Sequence, residues 1–328
     1  MSITKNHQST ETLHELAAAA FPEKQVRMIT ELTEGMFNAA YRFDFMDDSA
    51  SILKIAAASE DGLLSNEINL MQAEVSAMEL LRGHGVPYIP TVQFSDFTRI
   101  RCSGTYFFME VMPGRSLSSC KAALSEETVD IVMHEVGLLQ RMTTDFHRPR
   151  FGLAGDKRQF DTLYALEEYM LGNVLRDAAG ADIAFVFTPD ALLARLERDR
   201  VCFDEVKVPS LVHLDMWDGN IFVHKGHLSG VIDWARALWG DPFMDDRFRT
   251  QSQHPAFLSA YGKNTFTPAE KRRILWYDVF LYVTMLTECH YRQYHPDWVE
   301  WFTHLLWEAW EELAKPVAVG GAGQLEKQ

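Results

Sequence analysis

The segment that most constrains this chain is Ser210–Trp234, which reads SLVHLDMWDGNIFVHKGHLSGVIDW. Two short apolar runs, Ile221–His224 and His227–Ile232, flank Lys225-Gly226, which has the length and composition of a hairpin turn. Pairing His224 with His227 sets Asn220 opposite Val231, and Asp233 then lies two residues beyond that partner. Asp215 sits in the loop just before. The register therefore predicts that three oxygen-bearing side chains, Asp215, Asn220 and Asp233, converge at one end of a hairpin. Such a set suits Mg²⁺, which takes a few carboxylates together with phosphate oxygens. Phosphoryl transfer needs this arrangement: metal ions neutralise charge on the moving group, and a positioned carboxylate receives the proton of the attacking hydroxyl. Taken singly, each Asp is an ordinary loop residue; the joint spacing between apolar strands is what points to a site.

The rest of the chain divides around this island. Val26–Leu32 reads as a strand, and Tyr41–Phe45 and Ser51–Ile55 alternate as strands do, with turn-like residues between them. Residues 63–82 have helical spacing, with Leu70, Val75, Met78 and Leu81 on one face and Gly83, Gly85 and Pro87 closing the segment. Thr91–Phe94 and Gly104–Met112 read as two more strands, and Pro113-Gly114 breaks the chain. Beyond it helices dominate: one starting at Ser125 and running through Met142, others over 161–178 and 190–204, and aromatic-rich ones from 270 onward. The expected class is α+β, with a small β-rich lobe over 1–112, a larger helical lobe over 113–328, and a hinge at 109–114. Residues 1–8 and 315–328 read as loose ends.

Composition narrows the function. The net charge is −15, from 31 basic and 46 acidic residues. A surface that binds nucleic acid or anionic membrane needs clustered Lys and Arg, so neither partner is expected. A small cationic substrate is compatible with that charge. The four cysteines, Cys102, Cys120, Cys202 and Cys289, form no CxxC pair, which speaks against a zinc site or a disulfide framework. No run approaches a membrane span, and residues 17–21 (AAAAF) lack the basic start of a signal peptide. A cytoplasmic location is expected.

The island resembles the aminoglycoside phosphotransferase and choline kinase-like family, relatives of the protein kinases. That family's catalytic loop reads His-Gly-Asp, four residues, then Asn; here it is His213-Leu214-Asp215 followed by Asn220. Its metal segment, Ile-Asp-Trp or Ile-Asp-Phe, is matched by Ile232-Asp233-Trp234, and its Gly-Asp-Pro by Gly240-Asp241-Pro242, with Asp245 following. The resemblance spans about 25–310 and is strongest over 210–245. It implies a bilobal protein-kinase-like fold with a nucleotide-binding first lobe and a catalytic second lobe. It implies Asp215 as the base, Asn220 and Asp233 as Mg²⁺ ligands, and His213 as a brace for the loop. The departures are Leu214, where the family has Gly, and Asp218, where Pro is common and which adds an acid near the site.

The same resemblance assigns the first lobe. Lys54 is placed as the strand lysine that meets the nucleotide phosphates, and it is the one basic residue between Arg42 and Arg82. Its partner would be Glu74, with Glu67, seven residues earlier on the same helix, as runner-up. Gly35 and Asn38, in the loop Thr33–Asn38, would lie over the phosphates through backbone N–H groups. Backbone groups of Glu110 and Met112 would meet the adenine edge, with Met109 behind the base. The donor would be ATP or GTP. The acceptor would be a small-molecule hydroxyl, of an aminoglycoside-type or other antibiotic, or of a metabolite such as choline, homoserine or a sugar. Candidate acceptor walls are Asp241, Asp245, Asp246, Glu288, His290 and Trp301, with Asp241 also a candidate to pin the catalytic loop. The competing reading is a non-catalytic nucleotide sensor of the same fold. A protein kinase is disfavoured, since no Asp-Phe-Gly or Ala-Pro-Glu segment is present.

Overall fold

The computed structural model describes residues 4–35, 37–59 and 62–317. Helix α1 (Thr10–Ala20) comes first, capped by the Ser9 hydroxyl on the Thr12 N–H. Strands β1 (Val26–Leu32), β2 (Ala39–Phe45) and β3 (Ala50–Ile55) follow, then α2 (Leu70–Gly83), β4 (Val92–Asp96) and β5 (Tyr106–Met109). They form one antiparallel sheet in the order β1-β2-β3-β5-β4. Its inner residues Phe43, Phe45, Leu53, Ile55 and Phe108 pack against Leu13 and Leu16 of α1. Each such side chain contributes roughly 2–3 kcal/mol of burial. On the other side Phe107 and Met109 join Met78 and Leu81 of α2 and the main core.

After the hinge come β6 (Arg115–Ser116), α3 (Leu117–Cys120), α4 (Glu126–Thr144), β7 (Gly152–Leu153), α5 (Leu163–Gly180), α6 (Pro189–Arg198) and α7 (Arg200–Phe203). Then follow β8 (Ser210–Val212), β9 (Ile221–His224), β10 (His227–Val231), β11 (Leu238–Gly240), α8 (Pro255–Tyr261), α9 (Pro268–Arg292) and α10 (Pro296–Ala314). Two three-stranded sheets, β10-β9-β6 and β7-β11-β8, carry the island between the helices. Gly114, at φ 90°, brings β6 so close to β9 that a Cβ there would stand 2.0 Å from the Val223 carbonyl oxygen. Among the described residues no helix is long and apolar enough to cross a membrane, and all four cysteines are free.

Several expectations are revised. The helix begins at Leu70, not 63. Residues 65–69 are drawn onto the helical part of the chain: Ser65 bonds Asp177, Asn66 Nδ2 donates to the Met170 carbonyl, and Asn69 Nδ2 donates to the Gly155 carbonyl. Glu67 is therefore outside the helix. The helix expected over 190–204 is divided at Asp199, whose buried carboxylate accepts from Arg272 Nε at 2.6 Å and Trp276 Nε1 at 3.0 Å. Of the expected loose start, residues 1–3 lie outside the described residues, and from Thr4 the chain is tied down: Thr4 Oγ1 donates to the Phe37 carbonyl and Asn6 Nδ2 to the Ala56 carbonyl. Of the late aromatics, Trp276, Tyr277 and Tyr282 are core, but Trp301 and Trp307 are half exposed. The remainder of the expected loose end, from 318, lies outside the described residues.

Candidate active site

The hairpin does form, with His224 paired to His227, but its register differs from the even count. A bulge at Ser229 shifts the pairing, so Val231 faces Ile221 and the Ile232 N–H donates to the Asn220 carbonyl at 3.0 Å. The extra residue brings Asp233 one position nearer to Asn220 than the expected alignment with Val231 does. Ser229 itself donates to the Pro113 carbonyl at 2.6 Å, fastening the bulge to the hinge.

Asp215, Asn220 and Asp233 meet at this end. Asn220 Nδ2 donates to the Asp215 carbonyl at 2.8 Å and lies 3.4 Å from Asp215 Oδ2. The Asp215 N–H donates to His213 Nδ1, which leaves the His213 proton on Nε2, donated to the Ile232 carbonyl at 2.9 Å. Burial pushes the His213 imidazole down to about 4, so it stays neutral and ties the loop to the end of β10. Burial also pushes the Asp215 carboxyl up to about 7, with Arg236 pulling the other way.

Leu214 stands at φ 71°, in the left-handed region that a glycine adopts freely. The N–H groups of His213 and Leu214 both point at Asp245 Oδ2, at 3.2 and 3.3 Å. Asp245 holds the turn, and with it the left-handed conformation of Leu214. Asp241 does not pin the loop: its carboxylate accepts from Arg273 Nε, from Tyr277 and from the Phe243 N–H. Asp218 is likewise no free acid, being bonded to Lys121 and Arg247.

From the sheet, Lys54 Nζ reaches Glu74 Oε1 and Oε2 at 2.8 and 2.7 Å and Asp233 Oδ1 at 3.1 Å. Burial opposes the ammonium, but Asp233 and Glu74 hold it charged. Burial would raise Asp233 as well, and Lys54 outweighs it, keeping that carboxyl below its ordinary value. Glu67, the other candidate, is not the lysine's partner. It pairs with Arg236 and Arg292, and Glu288 pairs with the same two arginines.

Gly35 is exposed, and a Cβ there would meet nothing within 4 Å, so packing does not require a glycine. Asn38 is buried, and its Oδ1 has no hydrogen-bond partner among the described residues. Met36, in the same loop, lies outside them. Glu110 follows β5 directly; its N–H donates to the Thr91 carbonyl and its carboxylate accepts from Thr91. Met112 is half-buried, and its side chain lies where a Cβ on Gly230 would be. Met109 is buried in the sheet.

Beside the catalytic loop lies a partly open cavity of about 50 Å³, lined by Leu214, Arg236, Glu288 and mostly apolar residues. Of the proposed acceptor walls only Glu288 lines it. A separate groove between α1 and β1, lined by His7, Arg27 and Tyr41, lies apart from these groups. Sequence reading missed Arg236 and Arg292. Arg236 lies three residues beyond Asp233, and Arg292 is the i+4 helical partner of Glu288, but no local signal joins the two arginines to each other.

A buried lysine–glutamate pair between a strand and the following helix, facing an aspartate at the end of a hairpin, is the frame of the protein-kinase-like phosphotransferases. The chain belongs to the phosphotransferase enzyme family, whose profile matches residues 29–245, and by class it is a small-molecule kinase. Comparison with curated protein sequences gives no match. Solved structures share the fold at low identity. A GDP complex of an aminoglycoside 2'-phosphotransferase-IIIa variant is 17% identical, with a TM-score of 0.64, over 93% of this chain and 98% of that one. A thermostable APH(4)-Ia aminoglycoside phosphotransferase variant with ADP and hygromycin B is 16% identical, with a TM-score of 0.62, over 95% and 100%. An aminoglycoside phosphotransferase from Ralstonia eutropha, itself described as putative, is 11% identical, with a TM-score of 0.63, over 93% and 98%.

Proposed function

We propose that the chain transfers the terminal phosphoryl group of ATP or GTP to a hydroxyl of a small molecule, with Asp215 as the base. The observation that carries this reading is the Lys54 ammonium bridging Glu74 and Asp233 beside Asp215 and Asn220. Residues 1–112 would hold the nucleotide and 113–328 the catalytic loop and acceptor. In this reading backbone N–H groups at Gly35 and Asn38 would meet the phosphates, and backbone groups of Glu110 and Met112 the adenine edge.

The residues present fit Mg²⁺. Asp233 uses Oδ1 toward Lys54, leaving Oδ2, and Asn220 turns its Nδ2 to Asp215, leaving its Oδ1. One carboxylate and one amide oxygen, with phosphates completing the shell, is the sparse set this ion takes. When bound it would supply charge neutralisation on the nucleotide phosphates. The chain's own groups do the rest. Lys54, fixed by Glu74, meets a phosphate oxygen. Asp215 accepts the acceptor's O–H proton at a carboxylate oxygen as the new O–P bond forms and the bond from the γ-phosphorus to the bridging oxygen breaks. The products are a phosphate ester and a nucleoside diphosphate.

Structural relatives solved with hygromycin B and with streptomycin put amino-sugar antibiotics in the acceptor panel, beside neutral and metabolite alcohols. The test is an acceptor panel read by mass gain of one phosphate. Asp215→Ala should abolish the gain while the Mg·AMP-PNP thermal shift persists. Retention of full transfer by that variant would remove Asp215 from the role.

A further inference from the structure

We propose that the cavity beside the catalytic loop selects a net-neutral alcohol with an apolar body, and that the Thr284 hydroxyl orients it. This rests on the phosphotransferase reading above and narrows its acceptor. The cavity is bounded by Leu214, which precedes Asp215, and by Ala235, Arg236 and Ala237, which follow Asp233. Its other walls are mainly apolar, with Leu64, Ile68, Met170 and Phe280 among them.

Its charged residues are Glu67, Arg236 and Glu288. Both carboxylates are already engaged, each by Arg236 and by Arg292, so the four side chains sum to zero. Around the loop, Asp218 is engaged by Lys121 and Arg247, Asp241 by Arg273, and Asp245, through one oxygen, by two backbone N–H groups. Asp215 and Asp246 are not among the lining residues, so the walls themselves carry no unpaired carboxylate. A polycationic amino sugar would shed ammonium hydration there and meet no free carboxylate on the walls, an uncompensated loss. Hydrocarbon against Met170 and Phe280 gains instead.

Thr284 supplies the polar handle. It lies in α9, is buried at 7% exposure and lines the cavity. Its Oγ1 has no hydrogen-bond partner among the described residues. A helical threonine ordinarily returns its proton to the carbonyl four residues back. Thr287, one turn on, does so to Val283 at 2.7 Å. A buried hydroxyl without a partner is costly, and an oxygen of a seated acceptor would relieve that cost.

The test compares initial rates at saturating Mg·ATP for the straight-chain alcohols 1-butanol to 1-octanol, 4-phenylbutan-1-ol, hygromycin B and streptomycin. The expected result is a kcat/KM that rises about threefold to fourfold per added methylene. 4-Phenylbutan-1-ol should exceed both amino sugars by at least tenfold. Thr284→Val, which keeps the shape, should raise KM for 4-phenylbutan-1-ol about tenfold and leave kcat within twofold. Preference for either amino sugar, or a flat chain-length series, overturns the apolar pocket. An unchanged KM in Thr284→Val overturns the orienting role. If no compound of either class gains phosphate while Mg·AMP-PNP still raises the melting temperature, the phosphotransferase reading fails and takes this inference with it.

Discussion

Lys54 and Asp233 lie 179 positions apart in the chain, and Lys54 Nζ stands 3.1 Å from Asp233 Oδ1. That one contact joins the sheet to the hairpin, while Glu74 grips the same ammonium from α2. Lys54→Met should therefore act twice. Transfer should fall at least a hundredfold, since among the described residues no other cation pairs with Asp233. Glu74, fully buried, would lose its counter-charge, at a cost of about 3–5 kcal/mol. The double variant Lys54→Met/Glu74→Leu should regain most of that stability in urea titrations but none of the activity. Recovery of activity in the double variant would show that the pair is merely structural.

Asp215 has to be ionised to receive a proton, and burial raises its carboxyl to about 7. Its charged fraction in the free protein should thus grow as pH rises through about 7. A ¹³C-carboxyl titration should find one Asp resonance moving there that is absent in Asp215→Asn. The acid limb of kcat/KM for the nucleotide should follow the same group with unit slope. An Asp215 carboxyl titrating near 4 would contradict this.

Where local pattern sufficed, the sequence was readable. Period-two alternation marked Tyr41–Phe45 and Ser51–Ile55, which lie in β2 and β3, and the hairpin turn at Lys225-Gly226 placed the three polar side chains together. Where distant groups decide, it was not. Residues 63–69 have helix-like spacing, yet bonds to Asp177, Met170 and Gly155 hold 65–69 away from α2. The Ser229 bulge depends on the Pro113 carbonyl, more than a hundred positions away. The charge group of Glu67, Arg236, Glu288 and Arg292 has no spacing rule that predicts it, except the Glu288–Arg292 helical step. Helix α1, capped by Ser9, is not among the elements expected from the sequence, although a Ser ahead of Leu13 and Leu16 is a local helix signal.

Leu214 at φ 71° shows why a glycine suits this position: a side chain in the left-handed region costs about 1–2 kcal/mol. Asn tolerates that region and a β-branched residue does not. Leu214→Asn should keep stability within about 1 kcal/mol of the parent, while Leu214→Ile should lose roughly 2 kcal/mol. Asp245→Ala removes both N–H contacts that hold the turn and should cut transfer at least tenfold at unchanged nucleotide affinity. Urea midpoints and single-turnover rates check the set. Equal stability of Leu214→Ile and Leu214→Asn would mean that the turn relaxes.

Glu167, on α5, is fully buried, and neither carboxylate oxygen has a hydrogen-bond partner among the described residues. Burial pushes it up to about 8, with Arg249 pulling it back and Asp241 adding to the rise. The native state therefore keeps this proton when the unfolded chain, at an ordinary carboxyl value, has released it. A raised folded value gives stability that is complete at low pH and is lost as pH climbs toward the folded value. From this group alone, stability should decline between about pH 5 and pH 8 by a few kcal/mol. Glu167→Gln keeps the shape and cannot ionise, so its urea stability should fall less over that range and exceed the parent's at pH 8. Parallel pH profiles for the two proteins would mean that Glu167 is charged in the fold, with Arg249 as its counter-ion.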